Sequence, residues 1–203
     1  MIKVGITGGI GSGKSHICRK LEKIYIPIFY TDDESKKILS EDKEIKKYFI
    51  DNYGKESYMV DGKPNSKFLA NILFNDDIEM EKLVNKIYPK LLIVLNKWFD
   101  YYEKKNKKVV IVESAIMFNS NFATDNLDLV IGVIANTKTR IERVLKRDKH
   151  RTYDDILNII KKQVSNNDII LLSDFIIENN SEEDDILNEK IMKLRNELFL
   201  SSI

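Results

Sequence analysis

Lys3-Val4-Gly5-Ile6-Thr7-Gly8-Gly9-Ile10-Gly11-Ser12-Gly13-Lys14-Ser15 is the stretch on which the fold turns. Residues 3–7 are a short β-branched run, the pattern of a buried strand. Lys14 and Ser15 open a helical stretch that reaches about Ile24. Between them, Gly8-x-x-x-x-Gly13-Lys14-Ser15 matches the Walker A phosphate-binding pattern. The chemistry dictates the residue types. Glycines let backbone N–H groups turn inward around phosphate oxygens, and the helix that follows aims its N-terminal dipole at the same anion. A lysine at position 14 reaches the β- and γ-phosphates, and a hydroxyl at Ser15 ligates Mg²⁺.

Four more strand candidates lie downstream. Ile26–Tyr30 ends at Thr31-Asp32-Asp33, Val109–Val112 is continuously apolar and Leu127–Ile134 is apolar but for Asp128, and Phe175–Ile177 ends in Glu178-Asn179-Asn180-Ser181. An unbroken apolar strand fits a parallel sheet covered on both faces. Helical patterns alternate with these strands: Thr137–Arg147, Tyr153–Val164, and a closing helix over Glu182–Leu200 with Ser181 as its N-cap. The fold class is therefore α/β, a P-loop three-layer sandwich around a parallel five-stranded sheet.

Residues 34–107 are too long for one crossover and read as an inserted helical region, broken by the turn Asp61-Gly62-Lys63-Pro64 and by Pro89. Leu83, Ile87, Leu91, Val94, Leu95 and Trp98 make an apolar stripe at helical spacing. The expected organisation is one domain over 1–203, with a core at about 1–33, 108–136 and 166–203, the insertion at 34–107, and a helical lid at 137–165.

Composition narrows the function. The 203 residues are 43% hydrophobic and 32% charged, with a net charge of +1. That balance argues against a nucleic-acid binder. No apolar run is long enough to span a membrane, and no signal-peptide pattern opens the chain. The single cysteine, Cys18, fits a reducing compartment, so the expectation is a cytoplasmic protein, monomeric or weakly homo-oligomeric. Two histidines, His16 and His150, and one cysteine give no zinc set. A GTPase is disfavoured. Asp51-Asn52-Tyr53-Gly54 lies in helical sequence with no strand before it, and Asn85-Lys86-Ile87-Tyr88 lacks the final aspartate of a guanine reader.

Further segments sharpen this into a family likeness. They are Ile6–Ser15, Tyr30-Thr31-Asp32-Asp33, Asp61-Gly62-Lys63-Pro64-Asn65 through Leu69 and Phe74, Ile87-Tyr88-Pro89, Arg140-x-x-Arg143-x-x-x-Arg147-Asp148 with Gln163 beyond it, and Ser173-Asp174-Phe175-Ile176-Ile177-Glu178-Asn179-Asn180-Ser181. In this order they resemble the dephospho-CoA kinases across essentially the whole chain. The sequence departs from the family pattern at Glu113-Ser114-Ala115-Ile116-Met117-Phe118-Asn119, at Thr31 and at Lys67.

The resemblance implies transfer of the ATP γ-phosphate to the ribose 3′-hydroxyl of dephospho-CoA, with Mg²⁺. It implies nucleotide contacts at Gly9, Gly11, Ser12, Gly13, Lys14, Ser15, His16, Arg143 and Asn179, with catalytic roles for Lys14, Arg140 and Asp33. It implies substrate contacts at Thr7, Asp33, Lys67, Tyr88 and Glu113. Each reading has a plainer rival. Asp33 is a base for the acceptor hydroxyl or a helix cap, alternatively Asp32. Glu113 is a Walker-B-like acid or a charge at a strand end. Asn179 and Asn180 read adenine or make a turn. Arg140, Arg143 and Arg147 fall within roughly 60° on one helical face, either turned to the γ-phosphate or solvated beside Glu142 and Asp148. The alternative functions are another small P-loop kinase or a nucleotide-binding module without turnover.

Overall fold

The computed structural model describes residues 1–73, 77–119, 124–181 and 184–200. The chain divides into two compact units, one made of residues 1–30 and 99–203 and the other of Thr31–Trp98.

The first unit carries the sheet. Its strands are β1 (Ile2–Thr7), β2 (Ile28–Tyr30), β3 (Val109–Glu113), β4 (Leu129–Ile134) and β5 (Phe175–Glu178). They run in the order β2-β3-β1-β4-β5, with every pairing parallel. The pattern of residues explains the burial. All five residues of β3 are buried: the apolar run Val109–Val112, as in a doubly covered strand, and the closing Glu113.

Helix α1 (Lys14–Lys23) and the last helix, α9 (Asp184–Leu200), share a core with the sheet. Ile17, Cys18 and Leu21 of α1 meet Val4, Ile6, Ile111, Ile131 and Val133, as do Leu187, Ile191 and Leu194 of α9. The start expected for this last helix, Glu182, lies outside the described residues, and the expected cap at Ser181 is untested with it. Between β4 and β5 come α6 (Thr137–Arg147), α7 (Tyr153–Lys162) and a further short helix, α8 (Asn166–Leu172). Helices α6 and α7 close on each other through Ile141, Val144 and Ile156.

The second unit is helical: α2 (Thr31–Glu41), α3 (Lys43–Tyr53), α4 (Ser66–Leu73) and the greater part of α5 (Asp77–Lys104). Asp42 caps α3, accepting from the N–H groups of Glu44 and Ile45 at 3.0 Å each. Lys90 of α5 then pairs with Asp42 and with Glu44, both at 2.7 Å. The turn expected at residues 61–64 is present, with Gly62 at φ 84 and the Met59 N–H donating to the Lys63 carbonyl at 2.8 Å. Phe74 lies outside the described residues.

Two local expectations are corrected here. Pro89 does not break the helical region; α5 runs through it. Proline removes only one donor from the helical ladder, and its own side chain is exposed. Leu83, Ile87, Leu91 and Leu95 are buried on both sides of it along the chain, and that apolar face keeps the helix continuous. Second, helix α2 begins at Thr31 and not after the aspartates. Asp32 and Asp33 therefore occupy its first turn, and neither is its N-cap.

Candidate functional site

In an open parallel sheet, ligands bind beyond the carboxyl ends of the strands, where the connections reverse direction. With β3 inserted between β1 and β2, that reversal falls at β1 and β3. The Gly8–Gly13 loop leaves the end of β1 and enters α1 at this point. Gly13 is the N-cap residue of α1, at φ 96 and ψ 10, and no side chain caps the helix. The N–H of His16 donates to the Gly13 carbonyl at 3.0 Å, and those of Lys14 and Ser15, at the very start of the helix, are the ones suited to an anion. Only glycine fits at position 13 for two reasons: its φ lies in the left-handed region, and a β-carbon would collide with the amide nitrogen of Asn179.

Lys14 and Ser15 meet Glu113 beneath the loop. Lys14 Nζ lies 2.9 Å from Glu113 Oε1, and the Ser15 hydroxyl donates to the same oxygen at 3.4 Å. The two charged side chains are 12% and 4% exposed, so this is a buried ion pair. Glu113 is the last residue of β3, opposite Ile6 of β1 and Tyr30 of β2 in the sheet register. A hydroxyl beside a carboxylate supplies the hard oxygen donors that Mg²⁺ prefers, directly or through its waters. The residues present therefore fit such an ion.

Arg140 and Arg143 approach from α6, and both reach inward. Arg140 is 3% exposed. Its Nε donates to the Ile10 carbonyl at 2.8 Å and its Nη2 to Gln163 Oε1 at 3.1 Å. Burial lowers its pKa, and among the described residues no carboxylate pairs with it. A β-carbon on Gly9 would collide with this guanidinium, which is why the loop carries glycine there. Arg143 donates to the carbonyls of Asn179 and Ser181, at 2.9 and 3.0 Å. Arg147 departs from the expected three-arginine face. It forms a forked pair with Asp148 at 2.8 and 2.9 Å on the surface, the solvated alternative.

Asn179 proves to be a strut of the phosphate loop. Its Nδ2 donates to the Ser12 carbonyl at 2.8 Å, its N–H donates to the Ile134 carbonyl at 2.8 Å, and its own carbonyl takes Arg143. Ser12 is 1% exposed, and its hydroxyl has no hydrogen-bond partner among the described residues. Asn179→Ala would strand the buried Ser12 carbonyl, an effect of about 1–3 kcal/mol. We expect Tm to fall by about 2–12 °C in a thermal melt. A melting curve superimposed on that of the unaltered protein would show that Asn179 is not a strut.

The remaining expected residues fall in different places. Thr7 ends β1 and is buried, while His16 lies half-buried in the first turn of α1. Burial pushes the Cys18 thiol far up, leaving it inert. Asp33, Lys67 and Tyr88 belong to the helical unit. Asp33 is exposed, 3.3 Å from Lys36. Lys67 is exposed on α4, and Tyr88 is half-buried on α5. The family likeness marks Gln163 beyond the arginines but gives it no role. Its partner Ile10 is 153 residues away, a separation at which local pattern does not show the contact.

Comparison with known proteins adds the family dimension. The family model described as dephospho-CoA kinase matches residues 2–185. A dephospho-CoA kinase of Bacteroides fragilis is 34% identical over 182 residues, 90% of this chain and 86% of that protein. One from Clostridium tetani is 32% identical over 198 residues, 96% of this chain and 86% of its own length. Among solved structures, the dephospho-CoA kinase from Campylobacter jejuni superposes with a TM-score of 0.73 at 23% identity, over 99% of this chain and 98% of that one. Shikimate kinase from Acinetobacter baumannii gives 0.55 at 13% identity, over 97% and 94%. The two structural likenesses speak for the fold alone, a P-loop kinase sheet with flanking helices.

Proposed function

The chain belongs to the dephospho-CoA kinase family and phosphorylates dephospho-CoA in coenzyme A biosynthesis, and from that premise we propose that ATP is the donor and the ribose 3′-hydroxyl the acceptor. The observation that carries the donor half is the phosphate loop with Lys14 and Ser15 gathered on Glu113. In this reading the loop amides and Lys14 hold the β- and γ-phosphates. Phosphoryl transfer asks a protein mainly to position its reactants and to neutralise charge on the migrating group. Arg140, cationic and with no carboxylate partner among the described residues, supplies that charge. Mg²⁺ held near Ser15 and Glu113 would add Lewis-acid neutralisation of the phosphate oxygens.

Asp33 accepts the proton of the acceptor hydroxyl. Its support is the family likeness of Tyr30-Thr31-Asp32-Asp33 together with its place along the chain, three residues beyond Tyr30 at the end of β2. Lys67 and Tyr88 contact dephospho-CoA, and Asn179 serves the nucleotide through the loop it braces. The single cysteine fits a cytoplasmic setting. Among the described residues no helix is long and apolar enough to cross a membrane.

A coupled assay tests the reading. Purified protein with Mg²⁺ and ATP is offered dephospho-CoA, 3′-deoxy-dephospho-CoA, nucleoside monophosphates or no acceptor, and ADP release is followed. Release with dephospho-CoA alone is the expected result. Equal release with the 3′-deoxy analogue would refute the 3′-hydroxyl as acceptor. Release that depends on a monophosphate would point to a different small-molecule kinase.

A further inference from the structure

The apex of the phosphate loop is gripped from outside by the α6–α7 pair. The Ile10 side chain packs against Ile141, Val144 and Ile156. Its carbonyl accepts from Arg140 Nε at 2.8 Å. Its N–H donates to Gln163 Oε1 at 2.8 Å, and that same oxygen accepts from Arg140 Nη2 at 3.1 Å. Gln163 stands at the end of α7, where the backbone turns extended at φ −83 and ψ 159. One amide oxygen thus ties the loop backbone to the buried guanidinium.

From this geometry we infer that Gln163 is a positioning residue for phosphoryl transfer, acting through Arg140 and the Ile10 peptide. The inference rests on the reading that the chain transfers the phosphoryl group of ATP. The amide is the right chemistry for the task. It accepts two hydrogen bonds without bringing a full negative charge. Arg140 is therefore fixed in place, yet its charge is not cancelled. Nε and Nη2 make the two bonds described, and a guanidinium has five N–H donors in all. A carboxylate at position 163 would accept the same bonds, but it would form an ion pair with Arg140 and neutralise the charge meant for the phosphate. A cavity of about 320 Å³ borders Thr137, Arg140 and Gln163, so this corner is not closed to solvent or ligand.

Gln163→Glu separates positioning from mere support of the fold, since it keeps shape and the acceptor oxygen while adding a charge in place of the amide NH2. We expect Tm and the KM for dephospho-CoA to hold, while kcat falls about 10- to 100-fold. Gln163→Met, which removes the acceptor, should raise the KM for ATP about tenfold as well. In an Arg140→Ala background, Gln163→Glu should change kcat by less than about twofold, because the charge it neutralises is gone. A kcat for Gln163→Glu within twofold of the unaltered enzyme would overturn the inference, as would losses that simply multiply in the double variant. If the unaltered protein released no ADP with dephospho-CoA, the acceptor assignment would fall on its own. Gln163 would then be judged by ATP titration: tenfold weaker binding to Gln163→Met supports its role, and unchanged binding overturns it.

Discussion

Asp33→Asn is expected to lower kcat for dephospho-CoA by about 10²- to 10⁴-fold, the usual contribution of a positioned acid or base. The KM for ATP should stay within about threefold, because Asp33 is assigned to the acceptor and not to the nucleotide. The environment of the side chain makes the experiment clean. The carboxylate is exposed, and its pairing with Lys36 at 3.3 Å is a surface contact. Losing it leaves no buried group unsatisfied, so Tm should barely move and a loss of turnover will report chemistry. Asp32 is the internal control. It is also exposed and shares the first turn of α2, so it offers the same favourable charge at the helix N-terminus. Asp32→Asn should therefore keep kcat within about twofold, since surface changes of this kind cost little. Parallel steady-state kinetics on the two variants settle the matter. Equal activities for both would remove Asp33 from the chemistry.

Much of this architecture was legible in the residues, for reasons that differ from element to element. Strands β1, β3 and β4 could be read because a doubly covered parallel strand has no polar face to blur it. The phosphate loop could be read because its glycines and the Lys-Ser that follows them recur at a fixed local spacing, whatever the distant side chains that also crowd Gly9 and Gly13. Pro89 misled because local propensity favours a break there, whereas the buried Leu83, Ile87, Leu91 and Leu95 decide the outcome. The arginines show the limit of periodicity. A spacing of three and four places Arg140, Arg143 and Arg147 on one face, but it does not say what each guanidinium meets. Arg140 ends on Ile10 and Gln163, Arg143 on the 179–181 backbone, and Arg147 on its neighbour Asp148. Asn179 likewise looked like a turn residue or a base reader. Its bond to Ser12 spans 167 positions of chain, and only the assembled sheet brings the two together.

Lys14 has two roles that a pair of variants can pull apart. Lys14→Met is expected to cut kcat by at least about 10²- to 10³-fold, the scale for one preorganised charge or donor at a reacting centre. It should also destabilise the fold. Lys14 and Glu113 are both buried, 2.9 Å apart, and removing the cation leaves a carboxylate 4% exposed, with the Ser15 hydroxyl 3.4 Å away. Breaking a buried pair from one side costs about 3–5 kcal/mol, whereas replacing both partners with neutral groups is close to neutral. The double variant Lys14→Met, Glu113→Gln should therefore recover most of the stability lost in urea denaturation and none of the activity. That split separates the structural part of the ion pair from its part in holding phosphate. Activity that returned along with stability would mean that the Lys14 charge does not act on the phosphoryl group, and the single variant would then have failed only because its fold was weakened.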